Sequence, residues 1–211
     1  MRVPYPVTVN VEPNLTHRNR LTTFFRLILA IPHIILVGGG IAIGAATQGD
    51  GRTTASSEGG LLGAVAVFLA VVSWFTIVIA GTHIIGIRQF TAFYLRWRVR
   101  ALAYLMLLQD RYPPFGDAPY PAAIWIVNPA GARARLTVAV RLILAIPHFV
   151  ALFFVLLAWG LATVVAWFSI LFTGAYPQAL YDFGVGALRW RLRVESYVLL
   201  MVDQYPPFSL T

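Results

Sequence analysis

The octapeptide RLILAIPH occupies Arg26 to His33 and recurs, letter for letter, at Arg141 to His148. Two copies 115 positions apart mark the chain as a tandem repeat, and the flanking residues extend the match. At the same offset Tyr5-Pro6 matches Tyr120-Pro121, and Arg18-x-Arg20-Leu21-Thr22 matches Arg133-x-Arg135-Leu136-Thr137. Further along the offset is 93: Trp74-Phe75 matches Trp167-Phe168, LRWR at Leu95 to Arg98 matches LRWR at Leu188 to Arg191, and Tyr104, Asp110 and the YPPF at Tyr112 to Phe115 match Tyr197, Asp203 and the YPPF at Tyr205 to Phe208. The first half therefore carries 22 extra residues, whose polar core QGDGRTTASSEGG (Gln48 to Gly60) reads as a solvated loop. The two repeats are residues 1–115, with a long outer loop over 44–60, and residues 116–211.

The chain is 59% hydrophobic and 11% charged, with a mean hydropathy of +0.74, whereas soluble domains carry about 25% charged residues. A bilayer is the solvent this composition suits. Leu27 to Ala46 and Leu61 to Ile87 are uncharged runs, each long enough to cross a hydrocarbon core of about 30 Å. Leu142 to Tyr181 is an uncharged run of forty residues, about 60 Å as a helix, so the expectation is a hairpin turning near Trp159-Gly160, each arm barely spanning. Two crossings per half give both halves one orientation, related by a pseudo-twofold axis along the membrane normal. The first twenty residues contain no removable signal peptide, and the first span serves as its own insertion signal.

All sixteen basic residues are Arg, and only Arg52 falls in the outer loops of this topology. The positive-inside bias puts the other fifteen, and both termini, in the cytoplasm, with a reporter at Thr54 outside and one at Gly116 inside. The net charge of +8 is a topology signal and not a nucleic-acid footprint. The absence of Cys excludes disulfides, thiolate metal sites and cysteine nucleophiles.

YPVTVNV (Tyr5 to Val11) and YPAAIWIV (Tyr120 to Val127) have strand character and are expected to pair on the cytoplasmic face. Trp97, Arg100, Tyr104 and Leu107 recur as Trp190, Arg193, Tyr197 and Leu200, a helical face, which predicts amphipathic interfacial helices over Gln89 to Asp110 and Asp182 to Asp203, each stopped by the prolines of YPPF. Arg96, Trp97, Arg98 and Arg100, with Arg189, Trp190, Arg191 and Arg193, read as interface anchors able to hold anionic lipid headgroups of the cytoplasmic leaflet.

His33 and His148 lie inside apolar runs, each beside a proline that frees a backbone carbonyl. One reading has the two imidazoles facing each other across the axis, where they could ligate haem or a transition metal or pass protons. The other has each ring bonded to a freed carbonyl or to a Tyr or Trp of the interfacial helix, locking the halves together. His83 faces Tyr176 in the repeat, so a four-His site is unavailable. None of the eight carboxylates falls within an expected span, which argues against cation-coupled transport. Asp110 and Asp203 are expected to accept from Arg or from turn N–H groups. No GxxxxGK[ST], HExxH or GxSxG occurs, so no catalytic residues and no metal site are assigned.

RLILAIPH, the stretch Trp167 to Tyr197 and the terminal DQYPPFSL resemble a bacterial membrane family known as domain of unknown function 4389. The resemblance covers nearly the whole chain as two copies and is weakest at THIIGIRQF (Thr82 to Phe90), where the second half has AYPQALYDF. It implies a polytopic inner-membrane protein with no established activity and supplies no site residues. The combined expectation is an all-α polytopic membrane protein of four transmembrane helices in two parallel-repeat hairpins, each followed by an amphipathic helix. Its expected role is that of a non-catalytic accessory or scaffold subunit without a cofactor, bound to other membrane subunits and to anionic lipid. The rival roles are a haem- or metal-binding subunit, and a lipid or small-solute transporter working through a cavity at the seam between repeats.

Overall fold

A computed structural model describes residues 5–39, 59–129 and 133–211. Among them the chain is mostly helical. The order is β1 (Val7–Val11), α1 (Arg20–Phe24), α2 (Arg26–Val37), α3 (Gly60–Ala80), α4 (Ile85–Leu105), β2 (Ala122–Ile126), α5 (Arg135–Ala139), α6 (Arg141–Thr173) and α7 (Gln178–Val198).

The expected second hairpin is not formed. α6 is one continuous helix of 33 residues, about 50 Å long, and Trp159-Gly160 lies buried within it. A glycine can occupy a packed helix at modest cost, and only a residue forced to positive φ would turn the chain. That residue is Gly174, with φ 73°, whose N–H closes the helix on the Ile170 carbonyl. Gly81, with φ 74°, ends α3 in the same way.

The first half forms no hairpin either. α2 runs antiparallel to α4, since Arg26 reaches the Tyr104 carbonyl and His33 reaches Trp97. The four-residue connection Gly81 to Ile84 makes α3 antiparallel to α4 as well, because it is too short to reach the far end of a 21-residue helix. α2 and α3 thus point the same way, and they meet end to end: a Cβ on Gly60 would lie 2.6 Å from the Ile35 carbonyl oxygen and 2.7 Å from the Gly38 nitrogen. Their 12 and 21 residues together equal the 33 of α6. The 22-residue insertion therefore corresponds to positions 38–59, between two helices that continue one line; most of the expected 44–60 loop lies outside the described residues. We refer to α2–α3 and to α6 as the two rods.

β1 and β2 pair antiparallel, with Val9 opposite Ile124. Those two residues are repeat equivalents, so the pseudo-twofold axis passes between them. Each rod starts against the end of the other: Trp167 of α6 donates its indole N–H to the Thr23 carbonyl at 3.0 Å, and Trp74 of α3 donates to Val138, the equivalent of Thr23, also at 3.0 Å. The rods are consequently antiparallel and level with one another along the axis.

Three layers result. Val7, Val9, Val11, Ala122 and Ile124 turn inward from the sheet, while Thr8 and Asn10 face out. α4 packs under β2 and α7 under β1. The rods form the outermost layer, with Leu27, Ile35, Phe68, Phe75, Leu142, Phe154, Leu161 and Phe172 exposed. α3 and α6 are long and apolar enough to cross a membrane. α4 and α7 begin and end some four residues before the expected boundaries, stopped not by YPPF but by turns in which Leu107 and Leu200 take φ 64° and 62°.

Joining Val37 directly to Gly60 should fuse α2 and α3 into a counterpart of α6. The deletion variant is expected to keep the helix signal per residue in circular dichroism and to unfold within a few degrees of the full chain; an aggregated product would contradict the in-line arrangement.

Candidate functional site

Each half closes on a buried arginine clasp. Asp110 accepts from Arg18 at 2.7 Å and Arg26 at 2.6 Å, and the Arg26 guanidinium lies 4.2 Å from the Tyr104 ring. Asp203 accepts from Arg133 at 2.9 Å and Arg141 at 2.8 Å, with Arg141 4.5 Å from Tyr197. The left-handed leucines complete these clasps, since the carbonyls of Leu107 and Leu200 accept from Arg18 and Arg133. A non-glycine residue there costs about 1–2 kcal/mol, which the charged hydrogen bonds of the clasp offset.

Beside each clasp is an aromatic cage around histidine. Trp97 donates to Nδ1 of His33 at 3.1 Å, Phe115 stacks on the imidazole at 4.7 Å and Tyr112 lies at 5.0 Å. Trp190, Phe208 and Tyr205 repeat this around His148 at 3.2, 3.9 and 4.8 Å. Accepting at Nδ1 leaves the proton on Nε2, which is buried, makes no hydrogen bond of normal geometry and faces the backbone of Pro113 or Pro206. The two histidines thus occupy separate cages with no residue in common. Of the two sequence readings, the facing pair is not formed; each imidazole meets a Trp of the amphipathic helix, as the other reading held, but within its own half, so these bonds do not join the halves. The tryptophan, and not the histidine, is the donor. With one face of each imidazole covered by phenylalanine and Nδ1 already engaged, these residues do not fit an axial pair for haem. No group of three His, Asp or Glu placed to hold a metal occurs among the described residues.

Across the axis lies a slot of about 610 Å³. Its walls are Gly63, Ala64 and Val67 of α3 and Phe149, Leu152 and Leu156 of α6; its roof is Tyr94 and Arg98 of α4 with Arg191 and Glu195 of α7. Arg98 donates to Glu195 at 2.8 Å, Tyr94 donates to the same carboxylate at 2.9 Å, and Arg98 also caps the last carbonyl of α2 at Val37. An apolar cleft with a charged roof matches an amphiphile.

The residues read as interface anchors mostly face inward. Trp97 and Trp190 are buried on the histidines, Arg98 and Arg191 line the slot, and Arg193 lies 5.9 Å from the Tyr5 ring. Arg189 donates to the Val9 carbonyl, and Arg96 and Arg100 bind Asp117 at 2.8 and 2.7 Å. The hydrogen bond from Arg96, with that from Arg100, holds the Asp117 carboxyl below its ordinary pKa against the opposing effect of burial. Glu195 was not singled out in the sequence; the signal was its position opposite Leu102 in the repeat, an acid where the other half has a core leucine.

Burial alone would raise the Asp110 pKa, but the charge and hydrogen bonds of Arg18 and Arg26 outweigh it and hold the carboxyl below its ordinary value. Its folded pKa lies below its unfolded one, so its stabilisation is complete above about pH 4 and is lost as pH falls through the folded value. Asp110→Asn leaves two buried guanidinium groups without a counter-charge and is expected to cost about 3–5 kcal/mol at neutral pH. Thermal unfolding in detergent from pH 7 to pH 2.5 checks both effects. The variant should start lower and lose less below pH 4 than the parent, and equal acid sensitivity would contradict the clasp.

Two segments of the chain, residues 59–116 and 135–209, match the family model described as Domain of unknown function (DUF4389). No curated protein and no solved structure matches the chain. The two matched segments cover more than half the sequence and correspond to its two repeats: the protein belongs to the DUF4389 family, as two tandem copies of the pattern.

Proposed function

We propose that the protein is a non-catalytic integral membrane scaffold of the bacterial cytoplasmic membrane, seated in the cytoplasmic leaflet with both rods lying in the membrane plane. The observation that carries this reading is the reciprocal docking of Trp74 on Val138 and Trp167 on Thr23, which keeps the rods level about an axis that also runs through the two-stranded sheet, where Thr8 and Asn10 of β1 face outward. An axis along the membrane normal puts Thr8 and Asn10 in water and the exposed apolar rod residues in hydrocarbon. Upright rods would instead carry the outer face of the sheet into the bilayer, at a cost of several kcal/mol for each unsatisfied polar group. A multi-pass path through four crossings has no counterpart in this seating. Apolar helices immersed on one side, with arginines along the headgroup boundary, are the physics of in-plane membrane helices. Tyr5, whose hydroxyl donates to the Gln204 carbonyl at 3.1 Å, stands with Gln204 on the aqueous side, and the positive-inside bias of the all-arginine basic set makes that side cytoplasmic.

The accessory role is supported by Trp125 and Val127, 55% and 65% exposed on the aqueous face, where an uncovered indole suits a partner subunit. A second reading, lipid handling, is favoured by the slot. Its apolar walls begin two residues after Pro147 and its charged roof suits an anionic lipid of the same leaflet.

Single cysteines at Leu142, Leu157 and Phe172 of the cysteine-free chain, carrying nitroxides in vesicles, report depth along about 45 Å of α6. The proposal expects all three on one side of the bilayer midplane, whereas Leu142 and Phe172 at opposite surfaces would contradict it. Purification from native membranes in mild detergent should recover other membrane subunits in fixed ratio. Recovery of the chain with lipid alone would replace the scaffold role by lipid handling.

A further inference from the structure

The halves diverge where Thr82 to Phe90 faces Ala175 to Phe183 in the repeat, the two stretches sharing only the final Phe. In the second half Tyr176 and Tyr181 fill the space between α7 and β1. They are 2% and 3% exposed, their rings meet edge to face at 5.5 Å, and the Tyr181 hydroxyl donates to the Glu12 carbonyl at 2.8 Å. The first half has His83 and Arg88 at the equivalent positions, and among the described residues the matching space between α4 and β2 is open, a pocket of about 540 Å³.

The polar residues lining that pocket are His83, Arg88, Gln89, Arg96 and Asn128. Arg88 makes one hydrogen bond, to the Met201 carbonyl at 3.3 Å, and has no carboxylate within ion-pair distance among the described residues. The carboxylate whose charge acts on both Arg88 and His83 is Asp203, already held between Arg133 and Arg141. His83 donates Nδ1–H to the Ile84 carbonyl at 3.2 Å, so its Nε2 accepts in the neutral ring and donates to an anion as the imidazolium. Arg96 binds Asp117 at a site where both side chains stay about two-fifths exposed. Two guanidinium groups, an imidazole and two amides converge on one space, and α4 adds the positive end of its dipole.

We propose that this pocket binds a phosphate ester, with Arg88 as the principal cation, Gln89, Arg96 and Asn128 completing the donor set, and His83 adding a donor at Nε2 in its imidazolium form. The volume exceeds that of a bare inorganic anion and leaves room for the ester group. Ile84 and Ile85, 45% and 73% exposed, stand at the start of α4 and give the pocket an apolar flank suited to a phospholipid headgroup. The phosphate chemistry rests on the pocket itself; only the lipid source depends on the membrane seating proposed above. The tyrosines of the second half mark the same site closed, so the tandem protein carries one open and one filled copy.

The test uses the full chain in an uncharged detergent, with inorganic phosphate and water-soluble dihexanoyl phosphatidic acid as calorimetric probes. Saturable binding of at least one probe is expected, weakened about tenfold or more by Arg88→Gln. It should be lost in His83→Tyr/Arg88→Tyr, which copies the filled half. Circular dichroism and thermal unfolding establish that each variant is folded, and Arg88→Gln alone decides should the double variant fail to fold. Comparable binding of both probes identifies a free phosphate compound as the source, and binding of the lipid alone identifies a headgroup. Absence of binding by either probe, or binding unchanged in a folded Arg88→Gln protein, overturns the proposal.

Discussion

Everything in this fold follows from one constraint: two copies of the same half meet head to tail about the axis between Val9 and Ile124. Once the start of each rod rests on the end of the other, the rods can neither stand side by side as parallel hairpins nor slide to different heights. The sheet, which lies on the axis, must be on one face of the molecule and the rods on the opposite face. A one-sided amphipathic body is the geometric result, and the apolar surface is collected where it can be immersed together.

Within each half, polar chemistry holds what apolar packing alone would leave loose. The rods expose most of their apolar surface outward, so little of it can bind them to the inner layer. The joint is made instead by the Arg26–Asp110 and Arg141–Asp203 clasps and by the indole-to-imidazole bonds, all largely shielded from water. YPPF folds back to lay a phenylalanine on each histidine, which gives the histidine of an apolar phrase its place in a packing cage. The strained leucines belong to the same logic, since a left-handed residue turns its carbonyl toward an arginine.

Much of this was legible in the sequence. The offsets of 115 and 93 identified the halves and the size of the insertion, the alternation in Val7 to Val11 announced a strand, and the spacing of Trp97, Arg100 and Tyr104 announced a helix. Asp110 accepts from arginine as its place in the repeat suggested. The direction of things was not legible. A run twice as long as the bilayer is thick can be one helix or two, and reading residues 142–181 as two spans folded a 33-residue helix in two near Gly160. The insertion looked like a hairpin loop because hydropathy cannot distinguish a reversal from a splice; only the contacts of α2 and α3 with α4 do so. Trp97 and the arginines around it looked like interface anchors because composition does not reveal which face of an amphipathic helix is covered. The sheet and the rods enclose that helix from both sides. The slot and its Glu195 roof arise where the repeats disagree, so repeat matching passes over them.

The insertion and the divergent THIIGIRQF segment both belong to the first half, which suggests a division of labour, with the second half keeping the compact form of the pattern and the first carrying the added features. The slot draws its walls from both rods, so it exists only in the tandem protein. The central claim, that the rods lie in the membrane plane, is tested most directly by oriented circular dichroism of the full chain in aligned bilayers. The account predicts the signature of helices lying perpendicular to the membrane normal, and a spectrum dominated by helices along the normal would contradict it.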